Sequence, residues 1–244
     1  LYPRSRQVFQ RDNENAGAFP VVVEGVAAGQ TVEARLLPVG ADQGTPTDWQ
    51  PLSRALAGGR VRGTVSGTGG WYRLEVRALA GGTPAAGTAL DRVGIGEVIA
   101  IFGLSLAQGG HYPPELGAKD DRVSCIDYYE SGVDDLKLPF VFSQLHEKSK
   151  IAPFHKAPFA WGYFGDLLVQ RLNVPVLLYG CAFGGTNINQ NYKAIRHIPF
   201  EHSFCNYNIG RPYKPLRTAM HHYVPYSGIR CILSHHGGND AAIE

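Results

Sequence analysis

The sequence predicts an α/β fold, a doubly wound and mostly parallel sheet preceded by a small all-β sandwich. Two observations lead to this prediction. Residues 1–92 contain no lysine and show short alternating apolar runs separated by turn-rich stretches, a pattern typical of a β-sandwich. From Val93 onward, continuous apolar runs alternate with helical patterns, which is typical of parallel strands joined by helices. We therefore expect a sandwich domain over 1–92 and an α/β domain over 93–244.

The individual elements follow from periodicity and turn signals. Four alternating runs predict the sandwich strands: Phe19–Val26, Thr31–Leu37, Arg60–Val65 and Trp71–Ala78. Three apolar runs predict buried parallel strands: Glu97–Phe102, Pro175–Cys181 and Ile229–Ser234. Helices are expected over Ala160–Leu172, closed by Asn173, and near Leu216–Tyr223. An irregular insertion occupies roughly residues 109–158.

Composition limits the possible functions. The 244 residues are 44% hydrophobic and 18% charged with a net charge of +2, which gives no support for a nucleic-acid partner or an anionic membrane surface. No apolar run approaches the roughly 20 residues of a membrane span. The start at Leu1 reads as a mature or trimmed chain, and we expect a secreted or periplasmic protein. The four cysteines allow either two disulfides or free thiols.

Three polar, glycine-containing segments follow the three predicted parallel strands. They are Gly103–Gly109, Phe183–Asn187 and Gly237–Asp240. Because the carboxyl ends of parallel strands line the ligand crevice of an open sheet, we expect these distant segments to meet.

Each segment has a plain interpretation and a chemical one. Ser105 at a helix start can cap the helix or act as a nucleophile, and taken alone the cap is favoured. Gly184 and Gly185 form either an ordinary turn or a source of backbone N–H groups for an oxyanion. The amide of Asn239 can donate a hydrogen bond to the same oxyanion, with Asp240 as an orienting neighbour. The sequence Gly237–Asp240 is equally typical of an ordinary turn.

Taken together, the three segments resemble the SGNH (GDSL-like) hydrolase superfamily. The residues from Val93 to Asp240 resemble more narrowly the sialate O-acetylesterase-like branch of carbohydrate esterases. The blocks that carry the resemblance are Gly96-Glu97-Val98 leading to Gly103–Gly109, Gly184-Gly185-Thr186-Asn187-Ile188, and His235-His236-Gly237-Gly238-Asn239-Asp240. The N-terminal β module resembles the accessory domain that precedes such catalytic domains.

The resemblance implies a serine esterase that removes acetyl groups from a sugar or polysaccharide through an acyl-enzyme, without cofactor or metal. Ser105 would be the nucleophile, and the oxyanion hole would consist of the N–H groups of Ser105 and Gly185 and the Asn239 side chain. Gly184, Asp240 and His236 would support the site. Aromatic residues of the insertion are candidates for stacking on sugar rings: His111–Pro114, Tyr128, Tyr129, Phe154 and His155.

Departures from the pattern keep alternatives open. Leu104, Leu106 and Gly238 stand where the family usually has polar residues. The family's catalytic Asp and His lie in a D-x-x-H segment, expected here downstream of Glu244, so that 93–244 lacks the C-terminal part of the domain. His235 or His236 is an alternative base, although strand alternation directs at most one of them usefully. The rival functions are a carbohydrate-binding or scaffold protein on an inactive esterase domain, and a lipid esterase or thioesterase.

Overall fold

A computed structural model describes residues 1–109, 115–129 and 138–241. The strands are β1 Val8–Gln10, β2 Ala16–Val23, β3 Thr31–Pro38, β4 Gln50–Leu52, β5 Arg54–Leu56, β6 Arg60–Thr68, β7 Gly70–Ala80, β8 Thr83–Gly103, β9 Val123–Cys125, β10 Ser143–Gln144, β11 Val176–Gly180 and β12 Cys231–His235. The α-helices are α1 Ser105–Gln108, α2 Trp161–Leu172, α3 Ile188–Ile195, α4 Lys214–Thr218 and α5 Val224–Ser227, with a π-helical turn at Ala219–Tyr223 and a 3₁₀ turn at Tyr207–Ile209. No helix within the described residues is long and apolar enough to cross a membrane.

The long strand β8 organises the molecule. Its first half pairs antiparallel with β7, and its second half pairs parallel with β11 on one side and β12 on the other. The result is a mixed sheet of nine strands that runs from β10 through β8 to β4. The predicted domain boundary at residues 92/93 lies inside β8, so that one strand serves both regions; the division into two domains stays a prediction.

The N-terminal region consists of two packed sheets. The second sheet, in the order β2-β6-β5, contributes Phe19 and Val65 to a core shared with Leu36, Leu74 and Ile95 of the first sheet. In β3 the buried residues alternate with less buried ones, as expected for a strand with one face on a core. The four predicted strands of this region are confirmed: β2 and β6 lie in the three-stranded sheet, whereas the sheet that contains β3 and β7 continues through β8 into the parallel strands.

The parallel part of the sheet carries helical segments against both faces. Ile99 and Ile101 pack with Val169 of α2, whereas Val98 and Ala100 pack with the segment 214–223. The predicted strands near 97–102, 175–181 and 229–234 are confirmed, and α2 ends at Asn173, which adopts the left-handed conformation. The structure as a whole is a mixed sheet with few, short helices. Within the described residues, helices lie on both faces only of its parallel part, so the predicted doubly wound architecture is not shown for the whole chain.

Strand β12 lies at the edge of the parallel strands and is largely exposed. Among the described strands it pairs with β8 alone, and Ile232 keeps 45% of its surface accessible. Parallel strands are ordinarily covered on both faces, so this edge is unusual.

A buried carboxylate ties β12 to β8 and to the N-terminal segment. Glu97 accepts hydrogen bonds from Arg230 Nε at 2.8 Å, Arg11 Nε at 2.8 Å and Gln10 Nε2 at 2.9 Å. Arg230 immediately precedes β12, and its N–H also donates to Val98 O. The cysteines Cys125, Cys181, Cys205 and Cys231 are all free thiols.

Candidate active site

The three strand-end segments meet at one edge of the sheet, as predicted. Leu104 N donates to His235 O at 3.3 Å, which joins the segment after β8 to the end of β12. Phe183 N donates to Gly103 O at 2.9 Å, which joins the same segment to the one after β11. Gly103 has a φ of +151°, and a Cβ there would lie 2.3 Å from His235 O. A residue without a side chain is therefore needed where β8 turns toward Ser105.

Ser105 is the first residue of α1 and lies against Gly184. A Cβ added to Gly184 would approach Ser105 Cβ to 3.2 Å and Gln108 Oε1 to 2.8 Å. Gln108 fastens the two segments because its Oε1 accepts from Gly184 N at 2.9 Å and its Nε2 donates to Phe154 O at 3.3 Å. The N–H of Gly184 is thus already used.

The other two predicted N–H donors are available. Within the described residues, the N–H groups of Ser105 and Gly185 donate to no protein acceptor. Unpaired backbone N–H groups beside a hydroxyl are suited to an anionic oxygen, since they need no reorganisation to receive it.

Asn239 and Asp240 hold the third segment against the second. Asn239 Nδ2 donates to Thr186 O at 2.9 Å, next to Gly185 in the chain. Asp240 Oδ1 accepts from Ile188 N at 2.7 Å, and its Oδ2 accepts from Gly237 N at 3.2 Å. Asp240 therefore links the loop after β12 to the start of α3. One amide hydrogen of Asn239 remains for a ligand.

No histidine or carboxylate in the described part of the chain hydrogen-bonds to Ser105 Oγ. His235 is exposed on the edge strand. His236 packs edge-to-face on Phe102, with ring centroids 4.8 Å apart, and burial lowers its pKa although Asp240 opposes this effect. His236 is not among the residues that line the Ser105 cleft.

Two further histidines lie near the site, and both are engaged elsewhere. His155 is fully buried and its Nε2 accepts from Ala182 N at 3.1 Å; burial lowers its pKa to about 3. His202 Nε2 lies 2.9 Å from Gly185 O. Within the described residues, neither ring is hydrogen-bonded to Ser105 Oγ.

Ser105 and Gly184 border a cleft of about 350 Å³ with aromatic walls. Phe154 and Phe183 stack with ring centroids 5.0 Å apart, and the Arg211 guanidinium lies 5.2 Å from the Phe154 ring centroid. Lys156 Nζ lies 5.0 Å from the Tyr129 ring centroid. The cleft thus combines apolar ring faces with two cationic side chains.

The predicted sugar-stacking residues divide into separate groups. Tyr129 and Phe154 line the cleft, whereas Tyr128 packs against the core and His155 lies beneath the surface. His111–Pro114 lie outside the described residues.

Several cleft residues were not found from the sequence. Gln108 follows Ser105 by one helical turn, a spacing that could have indicated it. The others are Lys156, Phe204 and Arg211, which come from irregular segments that carry no periodic signal. His202, which contacts Gly185 O, was not found either.

The three departures from the family pattern occupy different environments. Leu104 is buried, Leu106 is 41% exposed, and a side chain at Gly238 would meet nothing within 4 Å. The two leucines therefore supply packing and surface rather than polar support for Ser105.

Among solved structures, a carbohydrate acetylesterase from Xanthomonas citri has a similar fold. The two structures superpose with a TM-score of 0.52 at 16% sequence identity, over 98% of this chain and 51% of that one. This chain thus spans about half the length of that protein. The similarity is one of fold. No protein-family model matches the sequence, and no curated protein matches it.

Proposed function

We propose that this protein is a serine esterase that removes acetyl groups from O-acetylated carbohydrates, of the SGNH type and similar to sialate O-acetylesterases. One observation carries the proposal. Ser105 stands beside two unpaired N–H groups, at the edge where three strand-end segments meet and on the border of an aromatic cleft. The similarity to a carbohydrate acetylesterase fold supports the same reaction class.

In the proposed reaction, Ser105 Oγ forms a bond to the acetyl carbon while a base takes its proton. The N–H groups of Ser105 and Gly185 and the Asn239 amide hold the oxyanion, and one such donor is typically worth about 3–4 kcal/mol. The sugar oxygen leaves with a proton, and water then hydrolyses the acetyl-serine to acetate.

The base is proposed to come from a D-x-x-H segment downstream of Glu244. The exposure of β12 supports this proposal. Parallel strands are ordinarily covered on both faces, and the accessible Ile232 leaves room for a further chain segment to pack against β12. Such structure would lie beside His235 O and Leu104 N, and hence near Ser105.

The sugar is proposed to be acidic, as sialate is. Ring faces of Phe154 and Phe183 suit the apolar face of a sugar, and Arg211 and Lys156 suit a carboxylate. Acidic and neutral substrates are compared by measuring acetate release from O-acetylated sialic acid and from acetylated neutral sugars. Lys156→Met should raise KM for the acidic substrate and leave the neutral ones unchanged. An equal effect on both classes would refute the charge preference.

The esterase proposal is tested by the same assay on the 244-residue chain and on the chain with its downstream sequence. We expect efficient turnover only with the downstream sequence, and loss of turnover in Ser105→Ala. Equal, efficient turnover by both chains would mean that a histidine within these residues is the base. His235 and His236 would then be substituted first.

The second candidate is a carbohydrate-binding protein on an inactive esterase domain. It is favoured by the absence of any described base on Ser105 Oγ and by the apolar Leu104 and Leu106. Calorimetric binding of acetylated glycan without acetate release, in the chain with its downstream sequence, would select it.

A further inference from the structure

Within the segment 198–208, Phe204 lines the Ser105 cleft, and both Phe204 and His202 contact Gly185. A Cβ built on Gly185 would lie 2.3 Å from Phe204 Cζ, so the Phe204 ring rests against the glycine. Gly185 has a φ of +74°, a conformation that L side chains rarely adopt. The backbone of this residue therefore depends on its neighbours for a defined orientation.

His202 joins this segment to Gly185 through both ring nitrogens. Its Nδ1 accepts from Cys205 N at 3.1 Å and from Phe204 N at 3.3 Å. Two N–H donors at Nδ1 require a lone pair there, so the ring proton lies on Nε2. That N–H donates to Gly185 O at 2.9 Å.

We propose that His202 is a positioning residue for the oxyanion hole. This inference rests on the proposed function, in which the N–H of Gly185 holds the oxyanion. The hydrogen bond to Gly185 O restrains rotation on the carboxyl side of Gly185, and the Phe204 ring packs against its Cα. Together they keep the Gly185 N–H directed toward the acyl site.

Two substitutions separate the functions of the two ring nitrogens. In His202→Asn, the amide oxygen takes the place of Nδ1 and keeps the turn at Phe204 and Cys205, but nothing reaches Gly185 O. In His202→Gln, the amide nitrogen takes the place of Nε2 and keeps that donor, but the turn loses its acceptor. His221→Asn, on the exposed side of the helical segment after Lys214, is the matched control.

In the chain with its downstream sequence, we expect His202→Asn to lower kcat for acetyl ester hydrolysis about 10-fold to 100-fold with little change in KM, because a small displacement of a catalytic group slows the reaction more than it weakens binding. His202→Gln should retain most of kcat, and His221→Asn all of it. A kcat for His202→Asn equal to that of the control would overturn the proposal. Equal losses in His202→Asn and His202→Gln would also overturn it, because they would indicate a merely structural role.

A second measurement does not depend on activity. Long-range ¹H–¹⁵N spectra of the imidazole should show His202 as the Nε2–H tautomer, and the Thr186 amide resonance should shift in His202→Asn but not in His202→Gln. An Nδ1–H tautomer would overturn the proposed contact. If these spectra agree but Ser105-dependent turnover is absent, the proposed function fails while the contact at Gly185 stands, so the two failures are distinguishable.

Discussion

Replacement of Glu97 by glutamine tests how the structure holds β12 beside β8. The Glu97 side chain is only 6% exposed and sits between two arginines, Arg11 and Arg230. Burial by itself raises the pKa of Glu97, but the hydrogen bonds from Arg230, Gln10 and Arg11 outweigh it, so the pKa lies below its ordinary value. The ionised carboxylate is therefore the form that the fold stabilises.

The expected loss follows from the hydrogen-bond count. Glu97→Gln keeps one acceptor oxygen and turns an NH₂ group toward N–H donors, so at least one charge-assisted hydrogen bond is lost, worth about 1.5–3 kcal/mol. The N–H donor that loses its acceptor stays buried and adds a desolvation cost. The total loss in the free energy of unfolding should be about 2–4 kcal/mol. Glu75→Gln is the control, since its pair with Arg35 is partly exposed and such pairs contribute about 1 kcal/mol or less.

Urea unfolding at pH 7, followed by circular dichroism, measures both variants. The sign of the pH dependence provides a second check. Because the folded pKa of Glu97 is depressed, its stabilisation is present above the unfolded pKa of about 4.3 and is lost as pH falls through the folded pKa. The gap between wild type and Glu97→Gln should therefore narrow below about pH 4. Equal, small losses for Glu97→Gln and Glu75→Gln would refute the reasoning.

Three further predictions concern the site itself. Gly184→Ala should slow fluorophosphonate labelling of Ser105 at least about 10-fold without unfolding the protein, because its Cβ would lie 2.8 Å from Gln108 Oε1 and 3.2 Å from Ser105 Cβ; labelling at the wild-type rate would contradict the close packing. Asn239→Asp should lower kcat in the active chain by about 10²-fold or more, because a carboxylate replaces an oxyanion donor; unchanged kcat would remove Asn239 from the oxyanion hole. The buried imidazole of His155 has a pKa of about 3, whereas in the unfolded chain it binds a proton near pH 6.5. Between about pH 6.5 and 5 the free energy of unfolding of wild type therefore falls by up to about 1.4 kcal/mol per pH unit as pH falls, and His155→Gln should remove this dependence. Parallel wild-type and His155→Gln profiles in urea titrations would show that His155 is not buried in the neutral form.

Local signals predicted four strands of the N-terminal region, the three parallel strands and helix α2, because each has a clear physical pattern. The short strands β1, β4, β5, β9 and β10 were not predicted. The apolar run at Glu97–Phe102 and the periodicity of α2 with Asn173 at its end correspond to elements of the structure. The length of β8 was not predictable in the same way. Its first half, from Thr83, is exposed and rich in Gly, Ala and Thr, and it is a strand because β7 pairs with it across a long hairpin. Pairing of this kind depends on tertiary context rather than on local propensity.

The same distinction applies to the site. The convergence of Ser105, Gly184 and Asn239 could be predicted because it depends only on parallel strand order. The positions of Arg211 and Phe204 at the cleft, and of His202 beside Gly185, could not be predicted, because these residues come from irregular backbone. Their positions depend on individual contacts, such as the imidazole of His202 with Gly185 O, which leave no periodic trace in the sequence.

The central claim, that Ser105 is an activated nucleophile in an acyl-transfer site, is tested most directly by labelling. The chain with its downstream sequence is incubated with a fluorophosphonate, and the modified residue is identified by peptide mass spectrometry. The account predicts one phosphonyl group per chain on Ser105, no labelling in Ser105→Ala, and protection by an O-acetylated sugar. An unmodified Ser105 in folded protein, or labelling that persists in Ser105→Ala, would contradict it.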